Sequence, residues 1–115
     1  MKTISAIVAG TGFEGRAERI RAYCQEGAAV SLVREPDNPH DPNAIAVLLH
    51  VRWMWGLIKF KSNIGHLKAS RAKQLAEGLD RNKLRVTDAW VESFYAPEDT
   101  EHPRVSLRIN IEEAM

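Results

Sequence analysis

Pro36, Pro39 and Pro42 fall within a single run, Glu35-Pro36-Asp37-Asn38-Pro39-His40-Asp41-Pro42-Asn43. Each proline fixes its own φ and withdraws a backbone N–H, so neither a helix nor an interior strand can pass through this run. The chain must therefore be assembled from elements on either side of a rigid turn. Upstream, the β-branched run Thr3 to Ala9 predicts a first strand. Gly10, Gly12 and Gly15 then turn the chain. Ala17, Ile20, Tyr23 and Cys24 recur at helical spacing and predict a short amphipathic helix over Arg16 to Gln25, stopped by Gly27. Ala28 to Arg34 predicts a second strand.

Downstream, Ala44 to Val51 predicts a strand and Arg52 to Phe60 a hairpin with its tip at Gly56. Ser62-Asn63 reads as a turn into a strand at Ile64 to Leu67. Ser70 is the expected cap of a helix carrying Ala72, Leu75, Ala76 and Leu79 on one face and ending at Asp80 to Asn82. Lys83 to Tyr95 and Arg104 to Ile111 predict an antiparallel pair, because Val105, Leu107, Ile109 and Ile111 alternate with Ser106, Arg108 and Asn110. Many strands, two short helices and no steady strand–helix alternation point to a small curled sheet or partly open barrel.

The 115 residues, 44% of them apolar, suffice for one core, so a single domain over 1–115 is expected. The apolar stretch Ile4 to Gly10 is too short for a signal-peptide core, and no run is long enough to span a bilayer; a cytoplasmic protein without a membrane partner is expected. Cys24 is the single cysteine, so packing must hold the fold. The net charge of +1 hides an asymmetry. Between Asp41 and Glu77 there is no carboxylate, while Arg52, Lys59, Lys61, Lys68, Arg71 and Lys73 are all cationic. Residues 86–115 carry seven acids against Arg104 and Arg108. One face can thus attract phosphates on a nearly neutral molecule.

Gly10-Thr11-Gly12-Phe13-Glu14-Gly15 follows a predicted strand and opens a predicted helix, and Glu35 lies downstream. This is the pattern of a dinucleotide-binding turn, with pyrophosphate on the helix N-terminus and an acid on the ribose. It supports an alternative reading as a small nucleotide- or cofactor-binding protein. The proline turn and alternating strands that follow do not supply the further strand–helix–strand units such a fold needs, and no cofactor is expected. Asp37, Asp41 and Asn43 lack the glycine and distal glutamate of a calcium loop, the four histidines lack paired ligand spacing, and Cys24 reads as a buried apolar group. No catalytic constellation is present, so the chain is not expected to be an enzyme.

The segment Leu32 to Val47, with its Arg34-Glu35-Pro36, Asn38-Pro39-His40-Asp41 and Asn43-Ala44-Ile45-Ala46-Val47 runs, is followed by Ile64-Gly65-His66-Leu67 and the helix containing Ala72 and Leu75-Ala76. It resembles the HIRAN domain family from about Ile7 to Asp80, including its stand-alone prokaryotic members. His40 stands where the family usually has tyrosine. The resemblance implies a mostly β fold with two short helices, a small OB-like or SH3-like partly open β-barrel. It also implies binding of the 3′-hydroxyl end of single-stranded DNA in DNA repair or replication-fork processing, with a helicase or nuclease acting in trans as partner. Phe13 would stack on the terminal base. Asn38, His40 and Asp41 would hold the end nucleotide, and His66 and Lys68 would approach adjacent phosphates.

Residue chemistry gives these positions two roles. A proline-stiffened turn presents Asn38 and Asp41 with few rotamers to lose, but both side chains also commonly bond their own turn backbone. His66, Lys68 and Arg71 flank a predicted helix start, a natural place for phosphate. Trp53 and Trp55 would share one face if both lie in a strand, as a platform for bases or a patch for homo-oligomerisation.

Overall fold

The computed structural model describes residues 2–114. It contains β1 (Lys2–Ala9), α1 (Arg16–Tyr23), β2 (Val30–Arg34), β3 (Ile45–Trp53), β4 (Ile58–Leu67), α2 (Ala69–Asp80), β5 (Leu84–Tyr95) and β6 (Arg104–Glu113). The six strands form one sheet in the order β2-β3-β4-β1-β6-β5, with every neighbouring pair antiparallel. The sheet curls but does not close. Its edge strands meet at a single bridge between Ala29 and Trp90, where Gly27 N–H donates to Val91 O and Val91 N–H to Ala28 O.

The core lies inside this curl. Ile45, Val47 and Leu49 from β3, Ile64 from β4, Val91 from β5, and Val105, Leu107 and Ile109 from β6 are fully buried, joined by Ile20 of α1. The predicted alternation of β6 is realised, because buried residues recur at every second position. Ala72, Leu75 and Ala76 of α2 pack inward as their period required. Among the described residues, no helix is long and apolar enough to cross a membrane.

Three expectations are corrected. Ser62 and Asn63 do not form a turn: β4 runs unbroken from Ile58 to Leu67, with Ser62 buried and an irregularity opposite Val47/Leu48. There Asn63 pairs with Leu48 and Gly65 with Val47, so Ile64 is the extra residue of a bulge. Asn63 Oδ1 accepts from Gly65 N–H at 2.9 Å, which is why a turn-type residue stands inside a strand. Ser70 does not cap α2. Lys68 is the N-cap, without a side-chain cap, because its own N–H is held by Ile7 O at 2.9 Å and the strand runs straight into the helix. Trp53 closes β3, whereas Trp55 lies in the turn with positive φ, so the two do not share a strand face.

β1 changes partner along its length. Lys2 to Ile7 pair with β6, and Val8 and Ala9 pair with β4. At that crossing Gly65 has φ +143°, and a Cβ on it would sit 2.3 Å from Ala9 O and 2.7 Å from Val8 Cγ1. Both the conformation and the space demand glycine. Gly65→Ala is therefore expected to cost about 2 kcal/mol or more from strain and overlap. In a thermal melt this reads as a fall in Tm of roughly 10 °C; an unchanged Tm would contradict the close approach.

Candidate nucleic-acid interface

The site is built where three segments converge, and the first is the proline turn. Arg34, the last residue of β2, donates from Nη1 to Ala44 O at 2.7 Å and from Nη2 to Pro42 O at 2.9 Å, which ties the far end of the turn to its start. Its Nε and Nη2 also form a bidentate pair with the Asp80 carboxylate at 2.8 and 2.9 Å, anchoring the turn to the end of α2. Glu35 N–H donates to Ala44 O, Asn38 N–H to Glu35 O and Ala44 N–H to Asp41 O, which pins the loop backbone at three points.

Inside the turn, Asn38 Oδ1 accepts from the N–H groups of His40 and Asp41, at 2.9 and 3.2 Å. Asp41 Oδ1 accepts from Asn43 N–H at 2.8 Å. Both side chains thus hold their own backbone, the first of the two roles their chemistry allows. The other carboxylate oxygen of Asp41 has no protein partner among the described residues, so the same side chain keeps an acceptor for a ligand. His40 is exposed at the turn.

The second segment is the end of β4. His66 pairs with Ala9 on one side and Ala46 on the other, and its Nε2 lies 2.5 Å from Glu35 Oε1. Asn38 Nδ2 donates to the same oxygen at 3.2 Å. Glu35 therefore joins the proline turn to the sheet. The His66 hydrogen bond above all, helped by Asn38 and by attraction to His66 and Arg16, holds the Glu35 carboxyl below its ordinary 4.5 against the opposing effect of burial.

The third segment is the loop after β1. Arg16 N–H donates to Phe13 O at 2.9 Å, Arg16 Nη1 to Gly10 O at 3.0 Å, and the buried Thr11 hydroxyl to Pro103 O at 2.7 Å. With its backbone held on both sides, the loop leaves the Phe13 ring 65% exposed. Arg16 is buried, and its Nε has no partner. A Cβ at Gly12 would overlap His102, so glycine there permits packing against the loop before β6.

This geometry removes the dinucleotide-binding alternative. That reading needs β1 and β2 to be parallel strands around α1, but β1 lies between β4 and β6, and both are antiparallel to it. The glycines serve turning and packing, and Glu35 is committed to His66 and Asn38.

Asn38, Asp41 and His66 are thus brought into one neighbourhood, with Phe13 on the loop leaving the strand partner of His66. Lys68 and Arg71 stand apart from Glu35. They line a surface cleft with Ser5, Ile7, Ser106 and Glu92, whose carboxylate is paired with Arg108 at 3.0 Å, and Arg71 Nη1 donates to Gln74 Oε1 at 2.7 Å. The first turn of α2 has neither an acidic residue nor a side-chain cap, so its positive end opens beside the Lys68 ammonium. Sequence reasoning missed Arg16 and Arg34 and read Glu35 only as a ribose ligand. A charged pair immediately before a proline turn was the available signal. Cys24 is buried as expected, and burial pushes its thiol up to about 11, which keeps it protonated and unreactive at neutral pH.

Because the carboxyl of Glu35 is held low, its link to His66 stabilises the site above its ordinary value and is lost as pH falls through the lowered one. A carboxyl-carbon NMR titration is expected to place Glu35 below 4.5 and to show it returning towards that value in His66→Ala. A titration unchanged by the substitution would contradict the pairing.

The HIRAN domain family model matches residues 1–112. A Fanconi-associated nuclease 1 homolog from Oryza sativa subsp. japonica is 35% identical over 80 residues, covering 70% of this chain but only 8% of the length of that relative. The crystal structure of the HIRAN domain of human HLTF superposes with a TM-score of 0.58 at 21% identity, over 93% of this chain and 74% of the other. A crystal structure of a Lactobacillus plantarum protein superposes with a TM-score of 0.66 at 21% identity, over 96% and 97% of the two chains. At that identity the two structures speak to the fold, which is common to all three.

Proposed function

The chain belongs to the HIRAN domain family, and on that premise we propose that it captures the 3′-hydroxyl end of single-stranded DNA. Its setting is DNA repair or fork processing, as a binding module beside a helicase or nuclease. HIRAN domains are DNA-binding modules. The observation that carries the finer reading is the linkage of the Asn38–Asp41 turn to His66 through Glu35, together with an exposed Phe13 on the loop that follows Ala9, the strand partner of His66.

Chemically, the arrangement separates two kinds of contact. At the turn, the carboxylate of Asp41 can accept a hydrogen bond from a terminal hydroxyl, while a phosphate at the same point would be repelled. Lys68, Arg71 and the open start of α2 attract phosphate oxygens at a distance from that carboxylate. Phe13 offers a face to the last base without regard to its identity. End chemistry, rather than sequence, is what such a site reads.

Phe13→Ala is expected to weaken binding of a hydroxyl-ended strand by about tenfold to a hundredfold, the worth of one stacked base. A strand ending in 3′-phosphate should bind less tightly than its 3′-hydroxyl counterpart, and Asp41→Ala should erase most of that difference. Asp41→Asn keeps an acceptor for Asn43 N–H and removes only the charge, so it separates discrimination from loss of the turn. Fluorescence anisotropy with the two strands checks this. Equal affinity for hydroxyl-ended, phosphate-ended and circular strands would overturn end capture.

A further inference from the structure

We infer that the outer face of the β3–β4 hairpin is the track along which a single-stranded nucleic acid runs on from its bound end, with Trp55 at the tip as a stacking surface. The inference rests on the end-binding reading and extends it to the part of the chain that reading leaves without a role.

Register decides which side chains share a face. His50 pairs with Lys61 and Arg52 with Lys59, whereas Val51 pairs with Phe60 and Trp53 with Ile58. Partners in an antiparallel pair project to the same side and successive residues to opposite sides. The hairpin is therefore two-faced, with one face cationic and the other apolar. Phe60 on the apolar face packs edge-on against Tyr23 of α1, at 5.3 Å between ring centroids, so that face is partly covered by the protein itself. On the cationic face Arg52, Lys59 and Lys61 are exposed.

The bulge connects this face to the site. Counting back from His66 in steps of two would lead to Ile64, Ser62 and Phe60, which belong to the inner side, where Ile64 and Ser62 are buried. The extra residue at Ile64 changes that parity, so His66, Asn63, Lys61 and Lys59 follow one another on the outer side, beside Ala46, Leu48, His50 and Arg52 of β3. The two cationic rows are about 6.6 Å apart, two residues at about 3.3 Å each. That spacing is of the order of one phosphate-to-phosphate step in an extended single strand.

The charges on the face are uncommitted. Arg16, Arg34, Arg81, Arg85 and Arg108 each have a carboxylate partner, but among the described residues Arg52, Lys59 and Lys61 have none. No acidic residue lies between Asp41 and Glu77 to supply one. At the tip, Met54, Trp55 and Gly56 all have positive φ, an unfavourable conformation for the first two, and Trp55 is 98% exposed. Unpaired cations leading to a solvent-exposed indole match a polyanion that carries stackable bases. A second copy of this chain would bring like charges together on this face.

The test compares hydroxyl-ended strands of about 3 and about 12 nucleotides, respectively below and within the usual range of single-strand site sizes. Wild-type protein is expected to bind the longer strand at least tenfold more tightly. Arg52→Gln/Lys59→Gln/Lys61→Gln should leave the short strand unaffected, remove most of the gain from length, and lower the salt slope for the long strand by about 2, three phosphate contacts at about 0.7 each. Trp55→Ala should weaken only the long strand, by about tenfold. All four residues are exposed, so folding is not at issue. End discrimination without any gain from length would overturn the track and leave end capture standing. Gain from length without end discrimination, abolished by the triple variant, would overturn end capture and leave the track. A dimer that Trp55→Ala makes monomeric, with length dependence unchanged, would assign the tip to a second copy and overturn the proposal.

Discussion

One backbone contact organises this molecule: the approach of β4 to the end of β1 at Gly65. With no room for a Cβ against Ala9 O and Val8 Cγ1, the two strands can come close enough for β1 to leave β6 at Ile7 and take up β4 at Val8. With β1 shared between the two halves, the sheet curls around the core. The bulge that accompanies the contact turns His66 outward between Ala9 and Ala46. The change of partner along β1, placement of the imidazole beside Glu35 and the direction of the basic face all depend on the same local geometry.

The proline turn illustrates how a polar loop is held in one conformation. Its prolines limit the unfolded chain as well as the folded one, so little additional freedom is lost on ordering. Arg34 does the rest, spanning Ala44 O, Pro42 O and Asp80 from a single guanidinium. An anionic Glu35 is tolerated near the surface because His66, Asn38 and Arg16 surround it. Negative charge is thereby concentrated at the turn and positive charge at Lys68, Arg71 and the hairpin. The proposed discrimination between a hydroxyl and a phosphate rests on this segregation, a carboxylate at the turn and cations away from it.

What could be read from the sequence was what is local. The apolar period of α2, the alternation of β6 and the barrier set by Pro36, Pro39 and Pro42 depend on neighbours a few residues away, and each is present as expected. The central motif, from Leu32 to Val47, also carried the family. What escaped were contacts between distant positions and residues whose usual local meaning was overridden. Asp80 meets Arg34 across 46 positions and Glu35 meets His66 across 31, with no periodicity to announce either. Ser62-Asn63 has the composition of a turn, but Asn63 spends its polarity on the bulge and Ser62 is buried in the strand. Gly10 to Gly15 matched a phosphate-binding pattern whose meaning depends on parallel neighbours that an antiparallel sheet does not provide.

The account stands most directly on where a strand end sits. Amide chemical shifts, followed while a hydroxyl-ended strand of about 6 nucleotides is added, would locate it. The account predicts that the largest changes fall together at Phe13, Asn38 to Asp41 and His66, and that a circular strand of similar composition leaves those positions unmoved. Changes absent from these three segments, or equal with the linear and circular strands, would contradict it.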